Sequence, residues 1–154
     1  MKIKKTKKFY PFYREFELTK PVIGYFQSKG YTIRREVRIG FCRADIVAFK
    51  DDKAVALELK LNNLKKAIVQ VKNYQLGVDF VYIVFPLLRA KNVLKKSKEK
   101  LKSDGIGLIT VDEETCEIRI VLKARRSKRN IGSIKIEEID RIRSKSYSKF
   151  NVYR

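Results

Sequence analysis

No histidine occurs among the 154 residues of this chain. Imidazole-based zinc sites and a histidine general base are therefore excluded, and any hydrolytic chemistry has to run on carboxylates, lysines and a hard metal ion. Cysteine is nearly as scarce. Cys42 and Cys116 lack metal-ligand spacing and suggest no disulfide framework. An apolar run of about 18 residues is missing, so no membrane span is expected. The basic start, Met1 to Lys8, runs into Phe9-Tyr10-Pro11 rather than an apolar stretch, so no secretory signal is expected and the expected location is the cytoplasm. Acidic residues are few: 17 Asp and Glu face 37 Lys and Arg, for a formal charge of +20 and a pI near 10.1. An ion-rich, thermophile-like surface explains many charges but not so large an excess of one sign. The excess points to nucleic acid first and anionic membrane second.

What is present suffices for one core. Hydrophobic residues make up 44% of the chain, and the length is that of an ordinary domain. The divisions read from charge are a basic arm over residues 1–8, a body over 9–124 and a basic extension over 125–154. After the arm come Phe9, Tyr10, Phe12 and Tyr13, which could stack on bases but fit better as core or staple residues. Thr19 as N-cap, Pro21 in the first turn and Gly30 as stop frame a helix from about Leu18 to Lys29. Alternation marks strands over Tyr31 to Ile39, Ala44 to Phe49 and Ala54 to Leu61, the last two joined by the polar turn Lys50-Asp51-Asp52-Lys53. Asn62 and Asn63 open a helix to about Leu76, and Phe80 to Phe85 is apolar enough for a buried parallel strand. A lysine-rich helix follows from Leu88 to Lys102, then strands at Gly107 to Val111 and Cys116 to Lys123, and a short tail helix near Ile136 to Arg143. The expected architecture is a mixed α/β layer: a three-strand meander feeding one parallel crossover.

The third strand carries the chemical signal. Val55, Leu57, Leu59 and Leu61 share one face, which leaves Glu58 and Lys60 on the other with Ala54 and Ala56. A charged pair at the end of so small and apolar a face is half-buried or lines a cleft, and buried charges are costly unless paired or bound to an ion. The polar turn folds the preceding strand back antiparallel, bringing Asp45 opposite residues near Glu58. Two carboxylates beside an ammonium suit Mg²⁺, which accepts one or two carboxylates and keeps several waters. Such an ion activates water and neutralises charge on a scissile phosphate, while Lys60 orients the water or stabilises the developing charge.

The pattern Ala44-Asp45 to Glu58-Leu59-Lys60, set on strand, turn, strand and helix, resembles the PD-(D/E)xK nuclease superfamily, which includes many restriction enzymes and archaeal Holliday-junction resolvases. The match runs from about Glu17 to Pro86, more loosely to Val121, with Ala44 where the family has proline. The resemblance implies a restriction-endonuclease-like α/β (α+β) fold with core order α-β-β-β-α-β, extended here by a further helix, two strands and a basic C-terminal tail. It implies a nuclease cutting DNA phosphodiesters, with structured or branched DNA as a candidate substrate. Mg²⁺ would be the cofactor, with Mn²⁺ able to substitute, held by Asp45, Glu58 and the backbone carbonyl of Leu59. It further implies that Gln70 stands near the site and that a carboxylate from the first helix completes it. Glu17 is preferred for that place, with Glu36 as alternative and Glu15 third. By analogy with small enzymes of this type, a homodimer is expected. Phosphate contacts are expected from Lys4, Lys5, Lys7 and Lys8, and above all from Lys123, Arg125, Arg126, Lys128 and Arg129, a run without an evident acidic partner. The competing reading is a nucleic-acid-binding protein that keeps the scaffold without the chemistry.

Overall fold

The computed structural model describes residues 12–130, so the arm lysines and the tail helix expected near Ile136 lie outside the described residues. A 3-10 turn at Glu15–Leu18 runs directly into α1 (Thr19–Ser28). Thr19 is therefore not the cap the sequence suggested. It is already helical, and Leu18 takes the N-cap position without a side-chain bond. The meander follows as β1 (Thr32–Ile39), β2 (Cys42–Lys50) and β3 (Lys53–Leu59), then α2 (Leu64–Tyr74), β4 (Phe80–Pro86), α3 (Leu87–Asp104), β5 (Gly107–Val111) and β6 (Ile118–Leu122).

All strands join one six-stranded sheet in the order β1-β2-β3-β4-β5-β6. The pairings β1–β2, β2–β3 and β5–β6 are antiparallel, whereas β3–β4 and β4–β5 are parallel. Two helical crossovers are therefore made rather than the one expected, because β5 continues the parallel run begun by β4. Both crossover helices lie on the same face. Ala67, Ile68, Val71 and Tyr74 of α2 share a core with Ala90 and Leu101 of α3. The other face is covered by Leu18, Val22 and Phe26, over Leu57, Leu59, Val84 and Ile109. Burial on both faces explains why Phe80 to Pro86 reads as a continuous apolar run.

The β1–β2 hairpin departs from simple alternation at one place. Ile33 packs on the α1 side, but Val37 and Ile39, which share its parity, belong to the α2 side. Across the ladder, Ala44 faces α2 whereas Ile46 and Ala48 face α1. The reversal sits at Glu36, whose φ is 57°, and at Asp45, which the flanking pairs Arg35↔Ile46 and Val37↔Ala44 place opposite it. A non-glycine residue at positive φ is strained, and such strain persists only where the surroundings impose it. Here it re-aims the strand where Asp45 leaves the sheet's ordinary alternation. On the far side of the sheet, Gly107 is required by close approach: an added Cβ would run into the Tyr82 ring and stand 2.7 Å from the backbone N of Ala124. No helix among the described residues is long and apolar enough to cross a membrane.

Candidate metal and phosphodiester site

The antiparallel register of β2 and β3 pairs Ile46 with Leu57, so the next position along sets Asp45 beside Glu58. Asp45 does not dangle there. Its Oδ2 accepts the backbone N–H of Leu59 at 2.8 Å, fixing the carboxylate just beyond the Ile46–Leu57 pair. Glu58 points to the α2 side with Ala54 and Ala56 and is only 4% exposed; Lys60 is 7% exposed. Lys60 stays in line because its backbone N–H donates to Val84 O at 2.9 Å, extending β3 beyond its last ladder pair.

Burial without full compensation raises the proton affinity of both acids. Loss of solvent pushes Asp45 above the usual carboxylate range, partly offset by the Leu59 N–H, with Glu15 and Glu36 adding to the rise and Lys60 opposing it. Glu58 is pushed up to about 7, first by burial and then by the Asp45 charge, against the opposing pull of Tyr74 and Lys60. Tyr74 reaches from the end of α2 to place its hydroxyl 2.6 Å from Glu58 Oε1 and 2.8 Å from the carbonyl of Arg43. Burial, and then Glu58 itself, hold its own proton on well beyond the ordinary tyrosine range. One hydroxyl proton cannot serve both acceptors. With Glu58 ionised, Tyr74 donates to it; with Glu58 protonated, the acid donates to Tyr74 and Tyr74 donates to the carbonyl.

A cleft of about 190 Å³ opens over Asp45, lined by Glu15, Phe16, Arg35, Glu36 and Leu59. Among the three acids weighed for the missing position, Glu15 has the direct tie. Its Oε2 accepts the N–H of Leu61 at 3.3 Å, and its charge raises both Asp45 and Glu58. Glu17 is placed elsewhere. Its Oε1 accepts the N–H groups of Tyr13 at 2.6 Å and Arg14 at 3.1 Å, closing a capping box. Those bonds hold its carboxyl below the usual range, since they favour the charged form. The preference for Glu17 assumed a helix beginning there; the 3-10 turn rotates Glu15 inward instead. Glu36 lines the cleft but leans toward Arg43, 3.8 Å away at an exposed position.

Gln70 stands one helical turn before Tyr74 and so on the same face of α2. Its Oε1 is buried and has no hydrogen-bond partner. A buried amide oxygen without a donor costs free energy unless a water or another donor reaches it. Among the described residues no three acidic or cysteine side chains converge into a cage of their own. Mg²⁺ does not need one, because it retains waters beside one or two carboxylates. Two acids short of positive charge beside a cleft form a donor set that fits such an ion.

The basic run beyond β6 has a different character. Arg125 donates to the carbonyls of Lys102 at 2.6 Å and Ser103 at 3.2 Å, at the end of α3. Arg129 donates to Lys72 O at 2.9 Å, near the end of α2. Arg126 lies 2.7 Å from Asp79, an acid only 2% exposed, and over the Phe80 ring at 5.1 Å. The expectation that this run lacks an acidic partner is thus corrected. Asp79 is 47 residues away in sequence, and no local pattern signals the pair. Three of the five cations are strapped to helix C-termini and a buried carboxylate, where positive charge complements the helix dipoles. Arg126→Ala is therefore expected to lower thermal stability by about 1–2 kcal/mol, discounted for the exposure of the arginine, which thermal denaturation at two salt concentrations checks. Lys123 and Lys128 are exposed.

No family model matches the chain, and no curated protein matches it. Among solved structures, it is similar to a protein of unknown function from Silicibacter pomeroyi, with a TM-score of 0.67 and 15% sequence identity, over 92% of each chain. That likeness extends the fold to a second, distant sequence.

Proposed function

We propose that this protein is a Mg²⁺-dependent nuclease of the PD-(D/E)xK type that hydrolyses DNA phosphodiester bonds, with structured or branched DNA as its substrate. One observation carries the reading: Asp45 and Glu58 are held side by side at the end of β3, short of positive charge, with Lys60 next to them and Glu15 across the cleft. Mg²⁺, when bound, supplies charge neutralisation at the phosphate and a water of lowered pKa. The chain's own parts do the rest. Leu59 N–H and Tyr74 O–H fix one oxygen of each carboxylate and leave the other for the ion. Lys60 is positioned to orient water or to meet charge developing on phosphorus. The Gln70 oxygen positions a water without adding charge. Helices α2 and α3 begin after the C-terminal ends of β3 and β4, with exposed Lys65, Lys66 and Arg89 in their first turns. Helix N-termini and cations at this end of the sheet attract a phosphate backbone.

Cleavage of branched, flapped and duplex DNA is expected in Mg²⁺ or Mn²⁺ and not in excess chelator. Ca²⁺ is expected to support binding without turnover, because it tolerates looser geometry than water activation needs. Gel analysis of labelled substrates reads both. Cutting in chelator would defeat the metal reading. Binding without cutting in every metal would identify a nucleic-acid-binding protein on the same scaffold.

A further inference from the structure

The segment that brings Glu15 to the site also carries aromatic rings with no place in the core. Phe12 and Leu18 turn inward to the α1 side of the sheet, while Tyr13 remains 77% exposed and Phe16 54% exposed. Single exposed aromatics are ordinary on any protein surface. These two stand three residues apart, and Phe16 lines the same cleft as Asp45. Between them the Arg14 guanidinium lies 4.8 Å above the centre of the Phe16 ring. The segment is fastened, since Glu17 holds the N–H groups of Tyr13 and Arg14. The product is a fastened segment with Phe16 in the cleft wall, the Arg14 guanidinium over its ring and an exposed Tyr13 next in the chain, on a protein of charge +20.

We propose that Tyr13, Arg14 and Phe16 are a stacking platform for unpaired bases, so that the strand is single-stranded where its phosphate meets Asp45 and Glu58. The consequence for cleavage rests on the nuclease reading; the binding does not. Bases in a continuous duplex have their faces covered by neighbouring bases and offer nothing to an exposed ring. A single strand, or the unpaired arm of a fork, offers a free face at every base. Aromatic rings and planar guanidinium groups accept such faces with little regard to sequence. Arg14 also brings a positive charge to the adjoining phosphate, and Arg35 of β1, in the lining of the same cleft, brings another. The wall that supplies an acid to the metal site thereby positions the strand to be cut.

The test is fluorescence anisotropy in Ca²⁺ with a single-stranded DNA oligonucleotide, an abasic strand of the same length and a blunt duplex. The abasic strand keeps the phosphate charge and removes the stacking faces. The wild type is expected to prefer the base-bearing strand over the abasic one by about five- to a hundredfold for each base stacked. The double variant Tyr13→Ala/Phe16→Ala is expected to lose that preference while its duplex affinity changes little. Phe16→Trp should keep the preference and Phe16→Leu should weaken it, which separates ring stacking from mere apolar contact in two folded proteins. Equal wild-type affinity for base-bearing and abasic strands overturns the platform, as does an unaltered preference in the double variant. Cleavage of the same substrates in Mg²⁺ is read separately. Cutting without any base-dependent binding removes the platform and leaves the nuclease. Base-dependent binding without cutting removes the nuclease and leaves the platform.

Discussion

Asp45→Ala and Glu58→Ala are each expected to reduce Mg²⁺-dependent cleavage by roughly a thousandfold or more, a loss of several kcal/mol of transition-state stabilisation. Each substitution removes half of the carboxylate pair at the end of β3, and Glu15 does not make a three-acid cage with the pair among the described residues, so it cannot stand in for either. Lys60→Ala is expected to be nearly as damaging to turnover, since its ammonium is the cation that acts on both acids. Binding should behave oppositely to turnover in the carboxylate variants. Deleting a negative charge beside the phosphate leaves affinity unchanged or improves it, whereas a general unfolding would abolish it. Circular dichroism and anisotropy on the same preparations separate the two cases. Full activity in Asp45→Ala or Glu58→Ala would sink the site. Glu15→Gln is the sharper comparison with Glu17→Gln: turnover should fall in the first, and the second should chiefly loosen the segment that Glu17 caps.

Most of the element order could be read from sequence because its signals are local. Period-two alternation with a polar turn defines β2 and β3, and the same alternation put Leu57 and Leu59 on the opposite face from Glu58 and Lys60. Register follows from the turn, which is why the sequence alone pairs Asp45 with Glu58. What sequence could not show depends on rotation and distance. Whether Glu15 or Glu17 faces the sheet turns on a single 3-10 turn, since a few tens of degrees per residue decide which acid points inward. The reversal at Glu36 is invisible to an alternation count, because Ile33 and Val37 keep the same parity while changing faces. Tyr74 carries no local signal of its role, because its bond to Glu58 spans 16 residues and depends on the length of its side chain. The arginine strap was misread for the same reason: Asp79 and the ends of α2 and α3 are remote in sequence from Arg125, Arg126 and Arg129.

Without metal, the protein is expected to be less stable at pH 8 than at pH 5, and Glu58→Gln is expected to remove much of that difference. Glu58 moves from an ordinary value of 4.5 to about 7 on folding, chiefly through burial. Between those values the folded chain keeps a proton that the unfolded chain has released. Raising the pH across this window therefore favours unfolding, and the stability present below pH 4.5 is lost by about pH 7. The size is on the order of 3 kcal/mol, from the free-energy equivalent of a pKa difference. Asp45, also raised by burial, acts in the same direction. Glutamine at position 58 carries no titrating proton, and its amide oxygen can still accept from Tyr74. The linkage with a metal runs the other way, because a cation binds the ionised acid. Below about pH 7 the apparent Mg²⁺ affinity should fall, by about tenfold per pH unit for one displaced proton. Cleavage at subsaturating Mg²⁺ should climb with pH and level off near 7. Chemical denaturation of the wild type and Glu58→Gln at pH 5 and pH 8, in chelator and then in Mg²⁺, measures both effects. If the two proteins lose stability equally between pH 5 and pH 8, Glu58 is not the group that holds a proton on folding. If the pH dependence is present but Mg²⁺ does not reduce it, the acid is buried for another purpose than binding a metal.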